Sequence, residues 1–450
     1  MSATSAMEVS AVYEGYQADF DRLQDGGDKQ GVSAPLKLLR QKAMEHFGRL
    51  GFPTTRMEDW RFTSVAPIAT RPYALGALAE VTTDQIVRFL IPELPGALLV
   101  FVNGRLSVSL SETGALPPGV AVQCLGDALA TGLDTTEPCL VSLGTEGEQP
   151  FSALNTAFLQ DGAVIRIDDG VVLNDPVHVV FISTAPGEAV VTHPRVLLLV
   201  GENSQVSVIE SYAGLRDAGY FTNAVTQIEA GAGSVVHHCK ILRESLQSYH
   251  VAGMQARLAR NAVVTSNSIT LGGALVRNDI GVVLDGEGAE CTLNGLYLAG
   301  GKQHIDNHTT IDHASPHCAS HELYKGILDG DGRAVFNGKI IVRLDAQKTD
   351  AKQSNKALLL SERAQVNTKP QLEIFADDVK CTHGATVGQL DEDALFYLRA
   401  RGLGREEARR ILIQAFATDV LNRVRHKPIQ MELGRALLDR LPTIATGETA

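Results

Sequence analysis

The chain has 450 residues, 44% of them apolar and 20% charged; that supports a sizeable core and excludes a disordered chain. With 40 Lys and Arg against 52 Asp and Glu, the net charge is −12. This excludes the basic footprint of a general nucleic-acid binder and opposes adhesion to anionic membrane surfaces.

At roughly 150 residues per domain, the length fits about three domains or one elongated domain with appendages. The first residues lack the basic and apolar regions of a secretory signal, and no apolar run reaches spanning length. The expectation is a cytoplasmic protein. Residues 1–80 read as a helical segment. Leu39, Ala43, Phe47 and Leu50 recur at helical spacing and predict a helix from Leu36, stopped by Gly51 and Pro53.

Residues 95–385 change character. They are rich in Val, Ile, Thr and Gly, in short strand-like runs without helical periodicity. Small residues precede such runs at Ser204, Ser234, Ala262, Ala289, Ala334 and Ala364, spaced 30, 28, 27, 45 and 30 residues apart. A period near 30 belongs to solenoids, whose coils bury their apolar faces only by stacking. The segment is predicted to be a parallel β-helix, with a pair of β-sandwiches as the alternative. The 45-residue step predicts an inserted segment.

Residues 391–445 read as helical again. One helix is predicted from its cap Asp391 to Gly402. A second carries the stripe Ala408, Ile411, Leu412, Ala415, Phe416 and Val420 and is ended by Pro428. A short third helix covers 431–441. The joint at Gly402–Gly404 predicts an antiparallel helical pair.

The glycine-rich fragments GAGSVV, DGEGAE and DGDGRA lack the third glycine of a dinucleotide fingerprint, and no GxxxxGK[ST] is present. No ATP site is expected on this chain. The cysteines Cys124, Cys139, Cys239, Cys291, Cys318 and Cys381 are scattered without a CxxC pair; they read as reduced thiols, neither a disulfide framework nor a zinc ribbon. His304, His308, His313, His317, Cys318 and His321 crowd one stretch and are candidate metal ligands. The competing reading is a polar edge in which Asp306, Asp312 and Glu322 pair with them.

Cys381 and His383 stand two residues apart, so an extended strand projects both from one face. Lys380 would favour the thiolate if it turned that way. On the residues alone, a buried Cys and a hydrogen-bonded His are commoner than half a metal site. A cysteine and a histidine do not complete a four-ligand set, so a partner chain would have to. Asp329, Asp331, Asp345, Asp350, Asp377 and Asp378 form no recognisable catalytic pair, and a polysaccharide-cleaving β-helix enzyme would need a groove of carboxylates or basic residues that is not seen.

The run from Val335 to Leu403, VFNGKIIVRLDAQKTDAKQSNKALLLSERAQVNTKPQLEIFADDVKCTHGATVGQLDEDALFYLRARGL, resembles the SufB/SufD family of SUF iron–sulfur cluster assembly, its SufD branch in particular. RMEDWRFT around Trp60 and VFVNG around Asn103 and Gly104 support it; residues from about 110 to 300 match mainly in character. The CTHGAT sequence and the lack of an N-terminal CxxC favour the SufD branch.

The resemblance implies a right-handed parallel β-helix between helical ends and a non-catalytic scaffold subunit. It implies a heterodimer with a SufB-type paralogue, each subunit binding a SufC ATPase. His383, with Cys381 beside it, would act at that interface on a transient, shared iron–sulfur cluster. Leu395, Phe396, Leu398, Arg401 and Gly402 would dock SufC, whose ATP-driven motion would shift the two β-helices. Whether the isolated chain pairs with itself, and which subunit carries any flavin, is left open. The alternative is a stand-alone metal-binding β-helix protein using the His304–His321 cluster.

Overall fold

The computed structural model describes residues 3–29, 34–130, 149–185 and 189–445; Cys139 lies outside them. Most of the chain winds between two long sheets. One runs from Val120–Cys124 and Ala163–Ile167 through Arg195–Val200, Phe221–Ala230, Tyr249–Leu258, Leu275–Leu284, His304–His313 and Arg333–Val342 to Gln365–Ile374. The other runs from Ala97–Val102 through Val177–Ser183, Gln205–Gly214, Val235–Arg243, Val263–Thr270, Glu290–Ala299, Ala319–Leu328 and Asp350–Leu359 to Lys380–Gly388. From coil to coil the pairing is parallel and in register. The parallel β-solenoid expected from the repeat is the observed fold.

In-register stacking turns the alternation of each strand into rungs along the molecule. One interior rung reads Val206, Val236, Val264, Cys291, Ser320, Ala351 and Cys381. The interior is closed by Val, Leu, Ile and Ala from both sheets, with Phe181, Tyr212, Tyr297 and Tyr324 filling the wider places.

Six successive coils turn on the same device. A residue with positive φ (Asn203, Gly233, Asn261, Gly288, His317, Lys348) stands immediately before a small one (Ser204, Ser234, Ala262, Ala289, Cys318, Thr349). These six corners are spaced 30, 28, 27, 29 and 31 residues apart. The expected insertion therefore does not exist. The sequence ladder had stepped from one sheet to the other at Ala334, because Cys318 and Thr349 take the place of the alanine or serine that marks the earlier corners. His304–His313 and Ala319–Leu328 are ordinary strands of the coil.

Helical appendages cover the outer faces. The predicted helix is observed as Ala34–Leu50, ended by Gly51 at φ +64°. It packs with Ala3–Lys29 and Pro150–Ala157 over Val191, Phe221, Val251 and Leu275 of one sheet. The Arg277 guanidinium lies 4.2 Å from the centre of the Trp60 ring, donates to Asp59 O at 2.8 Å and pairs with Asp306 at 2.6 Å. Thr63 donates to Asp306 and lies 2.8 Å from His304 Nε2. RMEDWRFT is thus the strap that binds the N-terminal segment to the solenoid wall.

The C-terminal helices Arg405–Leu421 and Lys427–Ala445 cover the other sheet, over Ile209, Ile241, Ile269, Leu296, Leu298 and Ile327. Two expectations are corrected here. The buried stripe is Ala408, Ile413, Ala417, Val420 and Leu421, whereas Ile411 and Ala415 face solvent. The helix has two apolar arcs at the same period, and packing against the sheet selects between them; at its edge Lys325 pairs with Asp419 at 2.7 Å and donates to Phe416 O. Pro428 sits in the first turn of the last helix, where its missing N–H costs nothing, and does not end the one before, which stops at Leu421.

Candidate functional site

The two ends of the solenoid differ. At the N-terminal end, antiparallel pairs (Ala97–Val102 with Arg105–Leu106, and Val120–Cys124 with Ala163–Ile167) close the sheets. At the C-terminal end the last strands, Gln365–Ile374 and Lys380–Gly388, are each the edge of their sheet. Their side chains are largely exposed, whereas Arg333–Val342, one coil before the first, and Ala319–Leu328, two coils before the second, are mostly buried. An edge strand leaves a row of unpaired N–H and C=O groups, a template for another strand. Among the described residues nothing lies within 4 Å of where a Cβ would stand at Gly384 or Gly388, so the outer face of this strand is open there.

Cys381 and His383 lie on this last strand, both in the inward phase, paired with Ala351 and Gln353. The one-face expectation from their spacing holds. Their surroundings differ. Cys381 is half-buried beside Ile340, Val342, Ala346, Ala351 and Ala376. Burial pushes its thiol up, with the nearby Asp350 charge acting in the same direction. Lys380 is exposed on the opposite phase, paired with Asp350, so the expected help to the thiolate is absent and Cys381 is a thiol. His383 is exposed at the mouth. Beneath it on the same rung come Gln353 and then Glu322, both buried, with Gln353 Nε2 donating to Glu322 Oε2 at 2.7 Å. Burial raises the Glu322 carboxyl to about 7. Sequence reading missed Gln353 and took Glu322 for a surface pairing; the 30-residue coil period, stepped back from His383, leads close to both.

The six clustered candidates are dispersed by the same alternation. His304 faces the N-terminal strap, and His308 pairs with Asp306 at 3.1 Å. His313 points inward to Ser320 Oγ at 2.9 Å. His317 is the corner residue at φ +58°, Cys318 donates to Gly286 O at 3.3 Å, and His321 is exposed. Among the described residues no group of three or more His, Cys, Asp or Glu side chains could hold a metal ion. Of the pairings in the competing reading only Asp306 with His308 is found, and Asp306 is buried rather than at a surface edge; Asp312 pairs instead with Arg343 at 2.6 Å and Glu322 with Gln353.

The helix Glu392–Ala400 is capped by Asp391, whose side chain accepts from the N–H groups of Asp393 and Ala394. Gly402 follows it at φ +93°. Leu395 is only 3% exposed, so it is spent within the chain. Phe396 is 72% exposed and Tyr397 56%; Arg401 lies 4.4 Å over the Tyr397 ring. Leu398 is half-buried. The helix therefore presents Phe396 and Tyr397, the latter not singled out from the sequence. Among the described residues no helix is long and apolar enough to cross a membrane.

Two family models match the chain: the SUF system FeS cluster assembly SufBD core domain over residues 181–416 and the SufBD protein N-terminal region over residues 15–179. An iron–sulfur cluster assembly SufBD family protein of Synechocystis is 34% identical over 395 residues, covering 86% of each chain. The iron–sulfur cluster assembly protein SufD of Escherichia coli is 33% identical over 409 residues, 89% of this chain and 92% of its own. SufD of Bacillus subtilis is 26% identical over 435 residues, 92% and 96% respectively.

Proposed function

Because the chain belongs to the SufBD family of SUF-system iron–sulfur cluster assembly proteins, we propose that it is the SufD-type scaffold subunit of a SufB–SufC–SufD complex, without a nucleotide site of its own, working in the cytoplasm. The open terminal coil carries this reading. A solenoid coil does not bury its interior face alone, and here the uncovered coil bears an imidazole and a thiol side by side on one phase. A SufB-type paralogue laid against the edges of Gln365–Ile374 and Lys380–Gly388 would continue the sheets. It would also supply the ligands that His383 and Cys381 lack for an iron–sulfur cluster, which is cargo shared between the subunits.

The SufC ATPase docks on the C-terminal helices, with Phe396 and Tyr397 as apolar anchors and Leu398, Arg401 and Gly402 at the rim. ATP-driven movement reaches the terminal coil only if the ATP-bound and free states of SufC hold the two scaffold subunits differently. The continuous sheet between the helices and the mouth makes a stiff lever for that difference.

The test is co-expression with SufB- and SufC-type partners, followed by the size, iron, sulfide and flavin content of what co-purifies. A three-protein complex with stoichiometric iron and sulfide is expected. His383→Ala is expected to leave folding and assembly intact and to abolish cluster maturation in cells. A variant that matures clusters normally would remove His383 from the mechanism. Stoichiometric metal on the isolated chain would favour a stand-alone metalloprotein.

A further inference from the structure

We infer that Gln353 is a positioning residue for His383, its side-chain carbonyl held as the acceptor for one imidazole N–H so that a single tautomer faces outward. The inference rests on the reading of His383 given above.

Strand pairing places Glu322, Gln353 and His383 on successive strands of one rung, all in the inward phase. An ionised carboxylate only accepts, so once Glu322 has lost its proton the 2.7 Å contact commits the nitrogen of the Gln353 amide to it. That fixes where the other end of the amide lies. Gln353 Oε1 is buried and has no partner among the described residues, in a residue only 3% exposed. An unpaired buried carbonyl is costly, and a donor would relieve that cost.

The next side chain on the rung, on the open side, is His383, one strand spacing of roughly 4.8 Å away. The opposite wall of the coil is shaped to the amide as well: a Cβ at Gly338 would run into Gln353 Nε2. With one ring nitrogen bound to Gln353, the other presents its lone pair to whatever covers the mouth. The same arrangement orients metal-binding imidazoles generally. Cys381 has no counterpart; it stands over Ala351 and, one strand further, Ser320. Of these two rungs, only that of the histidine has a polar side chain directly beneath.

The experiment uses the full-length chain co-purified with its SufB- and SufC-type partners at pH 8, where the Glu322 carboxyl, raised to about 7 by burial, is ionised. The ¹⁵N shifts of the His383 imidazole, assigned by their loss in His383→Ala, are read together with cluster maturation in cells. The native complex is expected to show one neutral tautomer. Gln353→Leu is expected to mix the tautomers and lower maturation about tenfold or more. Gly338→Ala, which displaces the amide but keeps Gln353, is expected to do the same, and stands in if the leucine variant fails to fold.

If both variants keep the native tautomer and native maturation while His383→Ala abolishes maturation, the positioning role is overturned and the site reading stands. If His383→Ala matures clusters normally, both fall together.

Discussion

The two ends of this solenoid are built from the same coil and finished in opposite ways. The N-terminal end is shut by antiparallel pairs and wrapped by helices, while the Trp60 strap grips the wall further along, at Arg277 and Asp306 on the fourth and third strands from the open edge. The C-terminal end stops in mid-stack, with two edge strands exposed and a histidine at the lip. Closure spends polar groups on the chain itself; leaving a coil open keeps its backbone and interior face available to another chain. Stability therefore belongs mostly to the first end and association to the second.

That division is open to direct attack. The largest effect is expected at the strap. Trp60→Ala removes a buried ring and the face on which Arg277 rests, and should cost about 3–5 kcal/mol in chemical denaturation. Loss of less than about 1 kcal/mol would show that the strap is not a main anchor of the N-terminal segment on the solenoid wall.

Glu322, one coil further in than Gln353, sharpens the comparison through pH. Its carboxyl is raised from 4.5 to about 7 by burial. Between those values the folded chain holds a proton that the unfolded chain has released, so stability should fall as pH rises from 4.5 towards 7, by up to ~3 kcal/mol. Glu322→Gln should flatten that slope in denaturation series across this range; an unchanged slope would assign it to other groups.

The smallest effect on folding is expected at the lip. Val387→Lys, on the last strand and 45% exposed already, should change stability by less than about 0.5 kcal/mol. It should nevertheless weaken association with a SufB-type partner, as lysine on an edge strand does. Unaltered co-purification would move the interface away from the terminal coil.

Much of this was legible because the signals are local. Gly51 stops the helix that Leu39, Ala43 and Phe47 announce, and Asp391 caps the one it precedes. Four corners from Ser204 to Ala289 mark the coil directly. The ladder slipped where Cys318 and Thr349 replace the small residues, since a corner needs a residue that fits, not a particular letter. In the helix Arg405–Leu421 two apolar arcs share one period, and only packing against the sheet chooses between them. The pair Cys381 and His383 was visible from alternation alone. Gln353 was not, because it meets His383 only through register between strands 30 residues apart, which is a property of the stack.

The repeated corners carry one more consequence. Each whole coil adds a fixed rise of roughly 4.8 Å, so the distance between the closed end and the lip is quantised. Deleting or duplicating one coil between corners would shift the mouth by a single step without re-aiming its side chains, which makes the chain a ruler as much as a wall.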